Sequence, residues 1–154
     1  GFFVVQRTRP GYPSGVRIVR VGAGETAVVL AAGHLFDHLP TTTATEDFLS
    51  REGHHLLLAE REGRAVGFVS GIEVAHPDKP TEMLLYELGV DEPDRRQGIG
   101  RALVTALAEL ARERGCSGMW VPVDAGDEPA IATYRSAGAQ APIAAATLWW
   151  DLHQ

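Results

Sequence analysis

The chain has 154 residues, 45% hydrophobic and 22% charged, with a formal charge of −6 and a sequence pI of about 5.5. That length suits one domain around one core, and the composition excludes the disordered class. No apolar run nears the ~20 residues of a membrane-spanning helix, and the negative balance argues against nucleic acid or an anionic membrane as partner. A cationic partner is tolerated.

The opening GFFVVQRTRPGYPSG has neither a secretory pattern nor regular periodicity. We read residues 1–15 as an N-terminal extension or a cloning remnant, which leaves 16–154 as one domain. VRIVRV then alternates apolar and basic residues and predicts a strand over Val16 to Val21. A helical stretch is expected from Gly24 to about Leu35, and after a loop a short helix near Glu46 to Arg51. HHLLLAERE and RAVGFVSGIEVA predict an antiparallel hairpin across the turn Glu62-Gly63-Arg64.

MLLYELGV predicts the next strand. Strict alternation places Met83, Leu85, Glu87 and Gly89 on one face and Leu84, Tyr86, Leu88 and Val90 on the other, unless a bulge intervenes. The turn DRRQGIG follows, and then a helix from about Gly100 to Arg114 with apolar residues spaced by three and four, closed by Gly115. CSGMWVPV reads as a strand. Asp127 and Pro129 open a helix that stops at Gly138, and QAPIAAATLWWDL supplies one or two last strands, with Trp149 and Trp150 divided between core and surface.

A strand entering a helix through glycines exposes backbone N–H groups at the positive end of the helix dipole, which suits an anion, usually phosphate. Arg95 and Arg96 add cations. The spacing fits neither GxxxxGK[ST] nor GxGxxG, so nucleotide-hydrolase and Rossmann readings fail.

The spacing Arg95-x-x-Gly98-x-Gly100 resembles the pyrophosphate loop of the GNAT superfamily of N-acetyltransferases. The preceding YELGV and the later helix carrying Tyr134 extend the likeness. YELGV, RRQGI and VDAGDEPAIATYRSAG look like the aminoglycoside 3-N-acetyltransferases of the gentamicin-modifying class within that superfamily. The resemblance implies an α/β fold with a mixed, mostly antiparallel sheet of six to seven strands, helices on both faces and a splayed central strand pair. It implies acetyl-CoA as donor, held by Leu88, Gly89, Val90, Arg95, Arg96, Gln97, Gly98, Ile99, Gly100, Arg101 and Tyr134. The acceptor would be a cationic small-molecule amine such as an aminoglycoside. Other small amines, a protein amine and a noncatalytic acyl-CoA sensor stay open, as does a homodimer.

Direct acetyl transfer to an amine needs a base for the ammonium proton and an acid for the leaving thiolate. Glu87 is the candidate base, against a strand-end salt bridge, and Tyr134 the candidate acid, against an ordinary core aromatic. Asp124, Asp127 and Glu128 form an acidic cluster for a cationic acceptor, although capping alone would explain Asp127. Asp151 could join that rim or be a surface strand end. One carboxylate about 4 Å from an ammonium contributes about 4 kcal/mol at an effective dielectric of ~20, before desolvation.

No metal site is expected. His54 and His55 are adjacent and point to opposite faces of a strand, and His34 and His38 have no third ligand at a recognisable spacing. The single cysteine, Cys116, is expected to pack rather than to carry an acyl group, and fits a reducing cytoplasm.

Overall fold

The structure is a computed structural model that describes residues 9–153. Residues 1–8 of the N-terminal segment lie outside the described residues. Five strands form one sheet in chain order: β1 (Val16–Arg20), β2 (His54–Arg61), β3 (Arg64–Val74), β4 (Glu82–Val90) and β5 (Met119–Trp120). The first four are antiparallel neighbours and β5 runs parallel to β4. The helices are α1 (Thr26–Ala31), followed by a 3-10 turn at Gly33–Leu35, then α2 (Thr42–Ser50), α3 (Ile99–Glu113) and α4 (Glu128–Ser136).

The β2–β3 hairpin closes through two residues, Glu62 (φ 52°) and Gly63 (φ 73°), with Arg61 paired to Arg64. Left-handed backbone at both positions gives the turn a twist that matches the flanking strands. Helix α2 begins earlier than the sequence predicts because Thr41 caps it, its Oγ1 accepting from the Ala44 N–H at 3.2 Å.

The expectation of six to seven strands is corrected to five among the described residues. Residues 139–153 form no strand and lie exposed, with Trp149 at 89% and Trp150 at 69% of full exposure, so the tryptophans do not divide between core and surface. Pro142 has no N–H for a ladder, and Ala144 to Ala146 carry little side chain to pack on a sheet. β5 itself is only two residues long.

Side chains from the two faces of the sheet build two apolar layers. Val16, Ile18, Leu57, Val69, Met83 and Leu85 meet Leu103, Leu107 and Leu110 of α3. On the other face Leu56, Leu58 and Phe68 meet Val29, Phe36 and Phe48 from α1, α2 and the loop between them. Helix α3 buries Ile99, Leu103, Leu107 and Leu110 because spacings of three and four put them on one stripe. Residues preceding β1 also dock: Tyr12 packs on the α3 layer and Arg9 pairs with Glu109. Among the described residues no helix is long and apolar enough to cross a membrane.

Helix α3 lies very close to β3. A Cβ on Gly71 would sit 2.7 Å from Leu107 Cδ1 and 2.9 Å from Met83 Sδ. Gly71→Ala is therefore expected to lower stability by about 1–3 kcal/mol through overpacking, measured as a fall in the urea midpoint at unchanged slope.

Candidate active site

Strand β4 sets the geometry of the site. Ser70 pairs with Glu87 but Gly71 pairs with Leu85, which leaves Tyr86 as an extra residue. Side chains change faces across such a bulge. Met83 and Leu85 pack under α3, and so do Leu88 and Val90, whereas Glu87 joins Phe68 and Ser70 on the opposite side. Strict alternation would have buried Glu87 beside Met83 and Leu85; the bulge delivers it to the α1–α2 side.

Pairing of β4 with β5 covers only Met83 with Met119 and Leu84 with Trp120. Beyond Leu84 the parallel pairing ends, and β5 is the edge strand of the sheet rather than one of a central pair. The edge of β4 from Leu85 to Val90 lies beyond that pairing, and backbone groups left unpaired there are free to bond an extended ligand.

The turn after β4 is braced from the hairpin. Asp94 is only 5% exposed and accepts from Arg61 and Arg64, each at 3.0 Å, while Arg64 also reaches Asp91 at 2.8 Å. Arg95 is a brace as well, since its Nε donates to the Val90 carbonyl at 2.9 Å. The side-chain amide of Gln97 donates to the Pro93 carbonyl at 3.4 Å. Arg96 has φ 63°, and among the described residues neither Arg96 nor Arg101 has a carboxylate at ion-pair distance.

Gly98 occupies the helix N-cap with φ 85° and has no side chain to satisfy the first turn. The first intrahelical bond is Ala102 N–H to Gly98 O at 3.0 Å, so the N–H groups of Ile99, Gly100 and Arg101 precede it. The Ile99 side chain is core, leaving only its backbone for a ligand. At Gly100 a Cβ would lie 3.2 Å from Thr133 of α4 and within 4 Å of Val90 and Leu88. The missing Cβ of Gly100 makes room for Thr133 of α4, while the open N–H groups and the guanidinium groups of Arg96 and Arg101 together fit a pyrophosphate.

On the other face Glu87, itself exposed, lines a pocket of about 160 Å³ together with Phe36, Phe48, Phe68, His38, Thr45 and Ser70. Its backbone N–H is fixed to Ser70 Oγ at 3.1 Å. Desolvation raises the Glu87 pKa, and the nearby Asp37 carboxylate raises it further. Gly89 lies on this face too, where a Cβ would meet Phe68 Cε1 at 2.7 Å. Sequence reasoning missed Asp37 and the phenylalanines, because a loop residue fifty positions from Glu87 in the chain carries no local signal.

Tyr134 is half-buried against the same layer as Leu88 and Val90. Burial first and Asp127 second push its phenol pKa up, which keeps the proton on it. Asp124 and Asp127 sit on the exposed loop into α4 and Glu128 is its exposed first residue; Asp127 Oδ1 accepts from the Ala130 N–H at 3.1 Å and so caps the helix. Asp151 lies in the exposed C-terminal segment and accepts from the His153 N–H.

Cys116 packs partly buried on the α3 layer, and burial raises its thiol pKa. His54 and His55 do face opposite ways, toward Phe48 and Glu73 respectively. His34 bonds the Ala65 carbonyl at 3.1 Å while His38 lines the Glu87 pocket.

A short parallel pairing, a bulged strand beside it and a glycine turn opening a helix define the frame of this site. Residues 29–139 match the acetyltransferase (GNAT) family, and the chain belongs to it. It is 34% identical over 136 residues to the mycothiol acetyltransferase of Thermomonospora curvata, covering 82% of this chain and 44% of that protein. It is 35% identical over 95 residues to human N-acetyltransferase 8, covering 61% of this chain and 42% of that one. The chain thus spans less than half the length of these relatives. An aminoglycoside acetyltransferase from an uncultured soil metagenomic sample, solved in complex with sisomicin, superposes with a TM-score of 0.83 at 22% identity, over 90% of this chain and 97% of that one.

A branched side chain at Gly98 would be strained by its left-handed backbone at the point where the helix N–H groups open, with its Cβ 3.7 Å from Pro13. Gly98→Val is expected to weaken coenzyme A binding at least about tenfold by calorimetry, with a stability loss of only about 1–2 kcal/mol.

Proposed function

We propose that the chain is an acetyl-CoA-dependent N-acetyltransferase for a cationic amine, and that the 3-amino group of an aminoglycoside is its acceptor. The observation that carries the reading is the placement of Glu87, which the bulge sends into a pocket on one side of β4 while the glycine turn and Tyr134 lie with Leu88 and Val90 on the other. An acceptor entering beside Glu87 and a donor lying along the free edge of β4 would meet there.

When bound, acetyl-CoA supplies a thioester whose carbonyl carbon the amine attacks. Glu87 takes the proton of the incoming ammonium, and its raised pKa brings it closer to that task. Backbone N–H groups along the free edge of β4 stand ready for the developing oxyanion. Tyr134, kept protonated, gives its proton to the departing thiolate.

For the acceptor, the exposed carboxylates Asp124, Asp127 and Glu128 offer a cationic molecule several partners, and the fold is shared with a soil enzyme that was solved with an aminoglycoside. The phenylalanine-walled pocket favours a second reading, a smaller amine with an apolar substituent. A noncatalytic sensor would bind coenzyme A and turn over nothing.

Purified protein assayed with acetyl-CoA against gentamicin, sisomicin, phenethylamine, spermidine and a peptide panel separates these readings. Turnover of peptides with none of any aminoglycoside would sink the aminoglycoside assignment, and turnover of no amine would favour the sensor. Glu87→Gln is expected to cut kcat at least about 100-fold, and Tyr134→Phe about 10- to 100-fold, each with coenzyme A affinity within about twofold of the parent.

Catalysis needs Glu87 deprotonated, so the rate falls as pH drops through its elevated pKa. Asp37→Asn removes a like charge, lowers that pKa and should carry activity to lower pH; an unmoved acid limb in kcat/KM would deny Glu87 the role of base.

A further inference from the structure

At the end of the sheet away from the glycine turn, the end of β1 with the segment after it, the end of α2, the start of β2 and Arg114 after α3 line an open cleft of about 430 Å³ that acetyl transfer leaves unused. Val90, at the turn, pairs with Gly67 of β3, while Glu73 sits six residues further along that strand. At about 3.3 Å per residue, the cleft lies about 20 Å from the turn.

The cleft has a buried polar frame. His55, 2% exposed, bonds Glu73 Oε2 through Nε2 at 2.7 Å and the Arg20 guanidinium through Nδ1 at 2.9 Å. A carboxylate only accepts and a guanidinium only donates, so the ring proton belongs on Nε2 and Nδ1 is a bare acceptor. His55 is therefore neutral, in keeping with a pKa lowered by burial. Glu73 Oε2 also accepts from Arg114 Nε at 3.0 Å, and this completes the chain Arg20, His55, Glu73, Arg114.

That frame leaves charge over. Among the described residues no carboxylate lies within ion-pair distance of Arg20; its hydrogen-bond partner is the uncharged ring. Arg114 spends Nε on Glu73, and its outer nitrogen reaches only Glu52, 4.0 Å away and 95% exposed. Of the other charged groups lining the cleft, Arg51 pairs with Asp47 and Glu25 accepts from the Gly22 N–H. Burial, and next the like charge of Arg114, lower the Arg20 pKa, against the raising influence of Glu73 and Glu113.

We propose that this cleft is a second ligand site, which takes a small oxyanion, the phosphate or carboxylate group of a ligand distinct from the acetyl donor, between Arg20 and Arg114. A buried neutral imidazole orients Arg20 without consuming its charge, which keeps the guanidinium fork available for bidentate contact. The reading is independent of the acceptor at Glu87.

The test uses the full chain saturated with coenzyme A, so that anion sites at the glycine turn are already filled. Inorganic phosphate in one arm and succinate in the other are titrated at constant ionic strength by calorimetry. Saturable binding below about 20 mM is expected in at least one arm, and Arg20→Gln should weaken it at least about tenfold while coenzyme A affinity is unchanged. Arg51→Gln should change it less than about twofold, because Asp47 already holds that side chain. The arm that saturates identifies the ligand's anionic group as phosphate or carboxylate. Absence of saturation in both arms, or equal binding by Arg20→Gln, overturns the proposal. Should Arg20→Gln fail to fold, Arg20→Lys keeps the charge and loses the fork: a loss of at least about threefold supports the site, and unchanged affinity rejects it.

Discussion

Between Leu85 and Glu87, Tyr86 has no partner on β3, and the side chains of β4 exchange faces across it. The placement of the proposed base depends on this one unpaired residue. Before it, β4 contributes Met83 and Leu85 to the layer under α3; after it, Leu88 and Val90 occupy that layer and Glu87 is released to the opposite pocket. A regular strand could not both anchor α3 along its whole length and present a carboxylate on the other side at this point. The bulge meets both demands within nine residues.

A second constraint acts on the turn. Its glycines supply backbone shape and approach, but the position of the turn is fixed by Asp94, buried and gripped by Arg61 and Arg64 from the far end of the hairpin. Loss of the Asp94 carboxylate would leave both arginines without this partner and free the strand-to-helix corner. The division among the local arginines follows: Arg61, Arg64 and Arg95 hold the scaffold, while among the described residues Arg96 and Arg101 have no carboxylate at ion-pair distance.

Where chemistry is local, the sequence was sufficient. The helical spacing from Leu103 to Leu110, the cap at Asp127 and the Glu62-Gly63 turn are dictated by residues within a few positions of one another, and the structure places them as read. The alternation along MLLYELGV could not reveal whether a bulge falls there, because the extra residue is defined only by its absent partner on β3. Nor could Asp37 be matched to Glu87, or Arg61 to Asp94, since tertiary folding alone brings them together. TTTATED read partly as a loop because its four threonines are weak helix formers, yet Thr41 as a cap started the helix sooner. The C-terminal run failed in the opposite direction: TLWWDL has the residue types of a strand, but a two-residue β5 offers it little ladder to join.

The placement of the aromatic residues has an optical consequence. All three tryptophans of the chain, Trp120, Trp149 and Trp150, are exposed, at 47%, 89% and 69% respectively, and the two apolar layers are built without indole. Native emission should already resemble that of indole in water, so melting of the layers would change it little. The fluorescence of this protein therefore reports on the edge of β5 and the C-terminal segment, and a ligand or partner that covered either would be seen more readily than the loss of the fold itself.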